Sequence, residues 1–293
     1  MAKVKEINDE IQQVGILGEL VDAYEEISSM RMKKTREKVL NNRGFLDEIN
    51  IIFEEVKNSY VKEALSLAKK FRGKKQNFTF IAHNGKTVAV LLSANVGLYG
   101  AIVKETFRKF IDEVNQGNCE VTITGKHGLN LFLEEKPNFP YTYFNIPDIA
   151  VKSGDLYEMI RHIVQYETIH VYYGKFVNVI KQYPSMFSIS AETSLDKGAK
   201  AVRSYIFEPG LEKILAFFET QIFASLFEQT VHESELAKHA SRFVAMDRAS
   251  TNIKDLIKRL NFNKLKSQHY EMNKKRLNNI LPVLLMRGGG YYV

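Results

Sequence analysis

The stretch "HESELAKHASRFVAMDRASTN", residues 232–252, sets two histidines, acids and arginines among alanines and serines. The charged groups would suit a metal or catalytic cluster, and the small ones a helix lying close against another. His232 and His239 are seven positions apart, so on a helix they share a face about 10 Å apart. That is too far for one zinc ion without a third ligand between them. Solvated or interhelical histidines are therefore expected. Ala237, Ala240, Ser241, Ala245, Ala249 and Ser250 would let a second helix approach, and Arg242 among them must find a partner. The pattern reads as packing.

The surroundings extend that helix. From Leu211 to Leu281 neither glycine nor proline occurs. One helix over such a span would run about 105 Å at 1.5 Å per residue, far beyond the usual three turns. Leu236, Ala240, Phe243, Met246, Ala249, Ile253, Leu256 and Leu260 recur at heptad-like spacing, the seam of a paired helix. At the other end, only Gly44 interrupts residues 19–72, and no proline precedes Pro137. Leu46, Ile49, Phe53, Val56 and Tyr60 form one stripe there, and Leu20, Ala23/Tyr24, Ile27 and Met30 another. Antiparallel pairing of the two long helices would bury both.

Between them the texture shortens. "NFTFIAH", "TVAVLLS", "CEVTITG" and "TIHVYYG" have the β-branched and aromatic character of strands. "YGAIVKETFRKFIDEV", "GLNLFLEE" and "GDLYEMIRHIVQ" read as helices between them. Alternation of this kind predicts a Rossmann-like α/β domain with a largely parallel sheet. The expected division is 1–72 (N-terminal coiled-coil helix), 76–205 (α/β domain) and 206–293 (C-terminal coiled-coil helix and tail, paired with 1–72).

Composition narrows the function classes. The 293 residues carry 45% hydrophobic and 26% charged residues, ordinary for a globular protein. No run of about 18 apolar residues is present to span a membrane, and "MAKVKEINDEIQQV" lacks the features of a signal or transit peptide. The single cysteine, Cys119, excludes an internal disulfide and a multi-thiolate metal site. The net charge of +7 is localised: residues 252–287 hold nine Lys/Arg against Asp255 and Glu271. Such a helix could face nucleic acid, an anionic surface or an acidic protein cavity.

No catalytic motif emerges. "SANVGLYGA" (93–101) follows a strand and opens a helix, the place of phosphate-binding loops. It offers only Gly97-x-x-Gly100, with no GxGxxG and no Walker lysine–hydroxyl pair, so a tight ligand-free turn is expected. "GKHG" (125–128) is equally short of a fingerprint. There is no HExxH among the seven histidines and no GxSxG elbow.

Several segments, in chain order, resemble the γ subunits of F-type ATP synthases. "ESELAKHASRFVAMDRASTNIKDLI" is similar to that family's C-terminal signature and "YIFEPGLEKIL" to its YxFEP segment. "VYYGKFVNVIKQYP" and "GKHGLNLF" have counterparts as well, and "LVDAYEEISSMRMKK" a looser one. The resemblance implies an antiparallel coiled coil of the two terminal helices with an α/β domain at its foot. It implies a central rotor shaft that couples a membrane c-ring to ATP synthesis or hydrolysis at an α₃β₃ hexamer, driven by protons or sodium ions. The partners would be the α, β and ε subunits and the c-ring. The chain itself would be non-catalytic and hold no cofactor or metal. It would lie peripherally at the cytoplasmic side of a bacterial plasma membrane.

On that resemblance Glu233, Ala240, Arg242, Met246 and Asn252 belong to the shaft, and Tyr205, Phe207 and Glu208 to the foot facing c-ring and ε. Lys266, Ser267, Gln268, Lys274, Lys275 and Arg276 would meet β. The family's Arg-Gln pair is here Lys266-Ser267, or involves Gln268 after a one-residue shift, and later acids are replaced by Lys274, Lys275 and Arg276. The glycine turn also departs, with "SANVGLYGAIV" lacking the family's acid, adjacent glycine and asparagine. The alternative is a helical-hairpin nucleic-acid binder using the basic helix, but only Phe262 and Tyr270 interleave its charges for stacking.

Overall fold

The computed structural model describes residues 2–68, 84–117, 119–136, 138–190 and 211–288. Two very long helices, α1 (Ala2–Ala68) and α5 (Leu211–Gly288), bracket the α/β segment. That segment runs β1 (Thr87–Leu92), α2 (Ile102–Val114), β2 (Glu120–Thr124), α3 (Lys126–Glu135), β3 (Thr142–Phe144), α4 (Ser153–Ile163), β4 (Thr168–Phe176) and β5 (Gln182–Ser190). The sheet order is β3-β2-β1-β4-β5. All neighbours are parallel except β5, which pairs antiparallel with β4 from Thr168↔Ser190 to Phe176↔Gln182. The mixed α/β class expected from the sequence holds.

The period of two along β1 builds the layers. Val88, Val90 and Leu92 enter one core with Leu156, Met159 and Ile163 of α4 and Phe223, Phe227 and Val231 of α5. Ala89 and Leu91 enter the opposite core with Phe107, Phe110 and Ile111 of α2 and Phe132 of α3. A strand buried on both faces must be apolar throughout, which is why "TVAVLL" does not alternate. Part of α5 is thus a covering helix of the sheet.

The chain divides into two compact units: Ser28–Arg242, and the residues up to Ile27 together with those from Phe243 onward. In the larger unit α1 and α5 run antiparallel, with Asn42 Nδ2 donating to Ser225 O at 3.3 Å. In the smaller unit they are antiparallel as well. Ser250 Oγ donates to Asp22 Oδ1 at 2.7 Å, and a Cβ on Gly18 would lie 3.3 Å from Ile253 Cγ2.

Several expectations change. The stripe through Leu20 and Met30 is not the buried face of α1; these side chains are 54% and 59% exposed. Among the described side chains of α1 the buried ones are Ser28, Thr35, Val39, Leu46 and Ile49, so two small polar residues stand at a seam where apolar ones were sought. Phe53, Val56 and Tyr60 lie on α1, but their side chains are outside the described residues, as is the whole of "NFTFIAH". Strands β3 and β5 had no counterpart among the expected ones. The first has three residues, and the second carries Pro184, which only an edge strand accommodates because its N–H side is free of the ladder.

Candidate functional site

From β1 the chain winds through β2 and β3 on one side, then returns to β4 on the other. The loop after β1 therefore stands at the reversal of strand order, where doubly wound sheets open a crevice for ligands. In this protein the chain itself uses the loop's polar groups. Asn95 N donates to both carboxylate oxygens of Asp148 at 2.8–2.9 Å, and Val96 N donates at 3.1 Å. Donors that a phosphate would need already hold a carboxylate. Asn95 pins the loop further, its Nδ2 donating to Ile146 O at 2.6 Å and its Oδ1 accepting from Lys126 N at 3.0 Å.

The carbonyls of the same loop face helix α5. Arg242 donates from Nε to Leu98 O at 3.0 Å and from a terminal nitrogen to Gly97 O at 3.1 Å. Its guanidinium carbon lies 3.7 Å from the centroid of the Tyr99 ring. The positive φ of 66° at Leu98, rare for a branched side chain, accompanies the turn that presents these oxygens. Lys238 reaches Ser93 O at 2.9 Å and lies 3.8 Å from Asp148 Oδ1. Burial lowers the Lys238 pKa, and Asp148 and Glu235 oppose that shift. The loop is thus gripped by two cations from one helix.

Shape completes the contact. A Cβ on Gly100 (φ +66°) would come 2.5 Å from Ser241 Oγ and 3.0 Å from Ser241 O. One on Gly174 of β4 would come 2.8 Å from Ile102 Cγ1 and 3.4 Å from Ala237 Cβ. The small residues Ala237 and Ser241 therefore admit the α/β domain, where the sequence suggested a second helix.

Nor are the two histidines solvated: His232 is 4% exposed and His239 fully buried. His239 packs against Tyr99, ring centroids 6.0 Å apart. Glu235 stands between them, with Oε2 3.5 Å from His232 Nδ1 and Oε1 3.8 Å from His239 Nε2. Glu228 approaches His232 Nε2 at 3.5 Å and accepts from Ser153 Oγ at 2.9 Å. Burial would raise the Glu235 carboxyl, but His232 and His239 outweigh it and hold the group well below the usual carboxylate range. Burial lowers His239, only partly offset by Glu235. For His232 burial is outweighed by Glu228 and Glu235, so its pKa is raised. Arg31 and Lys38 of α1 and Lys238 add positive potential around the pair. Among the described residues no group of three or more His, Cys, Asp or Glu is placed to hold a metal ion.

These opposite shifts predict opposite pH dependences. His232, raised, contributes stability that is full below its unfolded value of about 6.5 and is lost as pH rises through its folded value. His239, lowered, contributes stability present above about 6.5 and lost as pH falls through its folded value. The deficit of His232→Gln should therefore shrink with rising pH, whereas His239→Phe should gain on the unmodified chain as pH falls. Melting temperatures from about pH 5 to 8.5 check both, and pH-independent differences would contradict the assignment.

Of the residues expected in the shaft, Glu233, Ala240, Arg242 and Met246 are buried and Asn252 is exposed. Burial raises the Glu233 carboxyl, opposed by Arg43 and Lys175. Lys266, Lys274, Lys275 and Arg276 are exposed, while Ser267 and Gln268 are half-buried. In the smaller unit, Lys266, Ser267, Lys274 and Lys275 line a groove of about 960 Å³ with Ile7 and Glu10 of α1. Tyr205, Phe207 and Glu208 lie outside the described residues. Sequence reasoning missed Asp148, Lys238 and Tyr99 as members of the joint. The signal available was Arg242, a charge among small residues of α5 that had to find a partner.

The family model described as ATP synthase matches residues 3–278 of the chain. The ATP synthase gamma chain of Pelotomaculum thermopropionicum is 21% identical over 284 residues, covering 94% of this chain and 96% of that one. The gamma chain of Malacoplasma penetrans is 27% identical over 307 residues, covering 96% and 95%. A chain in the central stalk/c-ring structure of the Tetrahymena thermophila mitochondrial ATP synthase is similar in fold. Its TM-score is 0.56 at 18% identity, covering 79% of this chain and 99% of that one. No helix among the described residues is long and apolar enough to cross a membrane. A crevice filled by the chain's own helix, on a fold bracketed by two long helices and matched by the family almost end to end, leads to one assignment: this chain belongs to the ATP synthase gamma-chain family.

Proposed function

We propose that the chain is the rotating central stalk of an F-type ATP synthase, linking a membrane c-ring to the α₃β₃ hexamer. The family match over residues 3–278 carries this function, and the joint between the α/β domain and α5 suits it. A rotor needs its parts locked together, and the ligand crevice of the sheet is spent on that lock. In this proposal the chain makes and breaks no bonds, with catalysis belonging to its partners. It lies peripherally at the cytoplasmic face of a bacterial plasma membrane. Residues 1–72 and 206–293 form the shaft and residues 76–205 the foot, with Tyr205, Phe207 and Glu208, at the junction of the two, toward c-ring and ε.

The grip on β is assigned to Lys266, Ser267, Gln268, Lys274, Lys275 and Arg276. Exposed charge pairs contribute only about 0–1 kcal/mol each and weaken with salt, and lysine cannot form arginine's planar fork. Several such contacts bias a moving partner without fixing it. Changing Lys266, Lys274, Lys275 and Arg276 together to glutamine should lower the coupling of ATP hydrolysis to ion pumping while leaving assembly at low salt intact. Coupling at the unmodified level would remove these residues from the grip. The function as a whole is tested by affinity purification of the tagged chain from its native membrane. The α and β subunits should accompany it; their absence would sink the proposal.

A further inference from the structure

Of the asparagines in the chain, Asn84 alone precedes a glycine. The pair opens the turn into β1, and Asn84, Gly85 and Lys86 are all exposed. The connection between α4 and β4 holds this turn at both ends. Asn84 N donates to Gln165 O at 2.8 Å, and Lys86 O accepts from Glu167 N at 3.0 Å. Within the turn, Asn84 Oδ1 accepts from Lys86 N at 2.9 Å. That bond draws electrons from the side-chain carbonyl and is placed to stabilise an oxyanion formed there, as donors at acyl-transfer sites do. The next nitrogen along the chain belongs to Gly85, which has no Cβ to shield it and holds a φ of 71° that glycine adopts without steric cost. A polarised carbonyl and an unshielded nucleophile are thus neighbours in one exposed turn.

We propose that Asn84 is a site of spontaneous modification, its side-chain amide being lost as ammonia through a succinimide to leave an aspartyl or isoaspartyl residue. The Gly85 nitrogen gives its proton to hydroxide and bonds to Asn84 Cγ. Asn84 Nδ2 takes a proton from water and departs as ammonia, which restores the hydroxide. A second water then adds to one carbonyl of the succinimide. Cleavage of the new bond leaves an aspartyl residue, whereas cleavage of the original peptide bond reroutes the main chain through the side chain. The rerouted chain gains a methylene between the anchors at Gln165 and Glu167, so one of those two bonds must stretch or break. The modification also adds negative charge to a turn beside Glu167, whose Oε2 would lie 3.8 Å from a Cβ on Gly85. Asn178 is an internal control. It is exposed too, and its Oδ1 accepts from Ile180 N at 3.0 Å and Lys181 N at 2.8 Å. The nitrogen that would attack there belongs to Val179, whose branched Cβ crowds it.

The test keeps the full chain folded in neutral buffer and samples it over time. Peptide masses report each amide that has become an acid, and enzymatic methylation of isoaspartate reports the rerouted form. Loss of ammonia should accumulate at Asn84 at least about tenfold faster than at Asn178. Asn84→Gln should abolish it, because the longer side chain must close a larger ring. The isoaspartyl fraction, separated from the rest, should melt about 2–4 °C below the unmodified chain. Asn84→Asp, which keeps the main-chain length, should lose less. An Asn84 that stays intact while the chain is folded, or equal rates at the two asparagines, overturns the proposal. An isoaspartyl fraction that melts with the Asn84→Asp variant overturns the consequence for the turn.

Discussion

Arg242→Ala is expected to be the most damaging single substitution in the joint, lowering the unfolding free energy by about 3–5 kcal/mol. The guanidinium, 4% exposed, makes two charge-assisted bonds to the carbonyls of Gly97 and Leu98 and stacks on Tyr99. Hydrogen bonds to charged groups contribute about 1.5–3 kcal/mol each, and a desolvated cation–π contact adds about 2. These terms overlap, so the total falls below their sum. A stability of about 5–15 kcal/mol would lose a large share of itself. Arg242→Lys should recover less than half, because an ammonium reaches one carbonyl but cannot span two. Urea denaturation of the full chain reads both. A loss below about 1 kcal/mol for the alanine variant would show that the loop is held without the arginine.

Gly100→Ala should cost nearly as much, about 3 kcal/mol, for a different reason. An L-residue at φ +66° is strained by roughly 1–2 kcal/mol. The new methyl would also overlap Ser241, whose hydroxyl can turn away but whose carbonyl, 3.0 Å distant, belongs to the helix backbone. Overpacking of that kind costs about 1–3 kcal/mol. Gly97→Ala, three positions earlier, is the control: nothing lies within 4 Å of its added Cβ, and its effect should stay within about 0.5 kcal/mol. Equal effects at both glycines would mean that α5 does not press against this loop.

Much of this architecture is legible in the sequence. Absence of glycine and proline announced the helix that became Leu211–Gly288, and continuous apolar runs announced the central strands. What covers a buried face was not legible. The small residues from Ala237 to Ser241 marked a close approach, but spacing along one helix does not say whether the neighbour is a helix or a glycine loop. Of the two readings of the histidines, solvated or interhelical, the solvated one fails for the same reason, since burial of His239 depends on Tyr99, 140 positions away in sequence. Asp148 and Lys238 became recognisable only when the fold brought the β3–α4 connection beside the β1–α2 loop. Pro184 hid β5 because proline argues against a strand unless that strand is known to be an edge. On α1 Leu46 and Ile49 are buried as their stripe suggested, but upstream the buried face lies elsewhere than the stripe through Leu20 and Met30 because Ser28 and Thr35, polar by composition, are buried.

The central claim is that this chain turns. The measurement that tests it most directly assembles the chain with its own α and β subunits, fixes the hexamer to a surface and attaches a probe to the α/β domain. With ATP supplied, the account predicts sustained rotation in one direction that stops when ATP is removed. A complex that hydrolyses ATP while the probe stays still, or only fluctuates without direction, would contradict it.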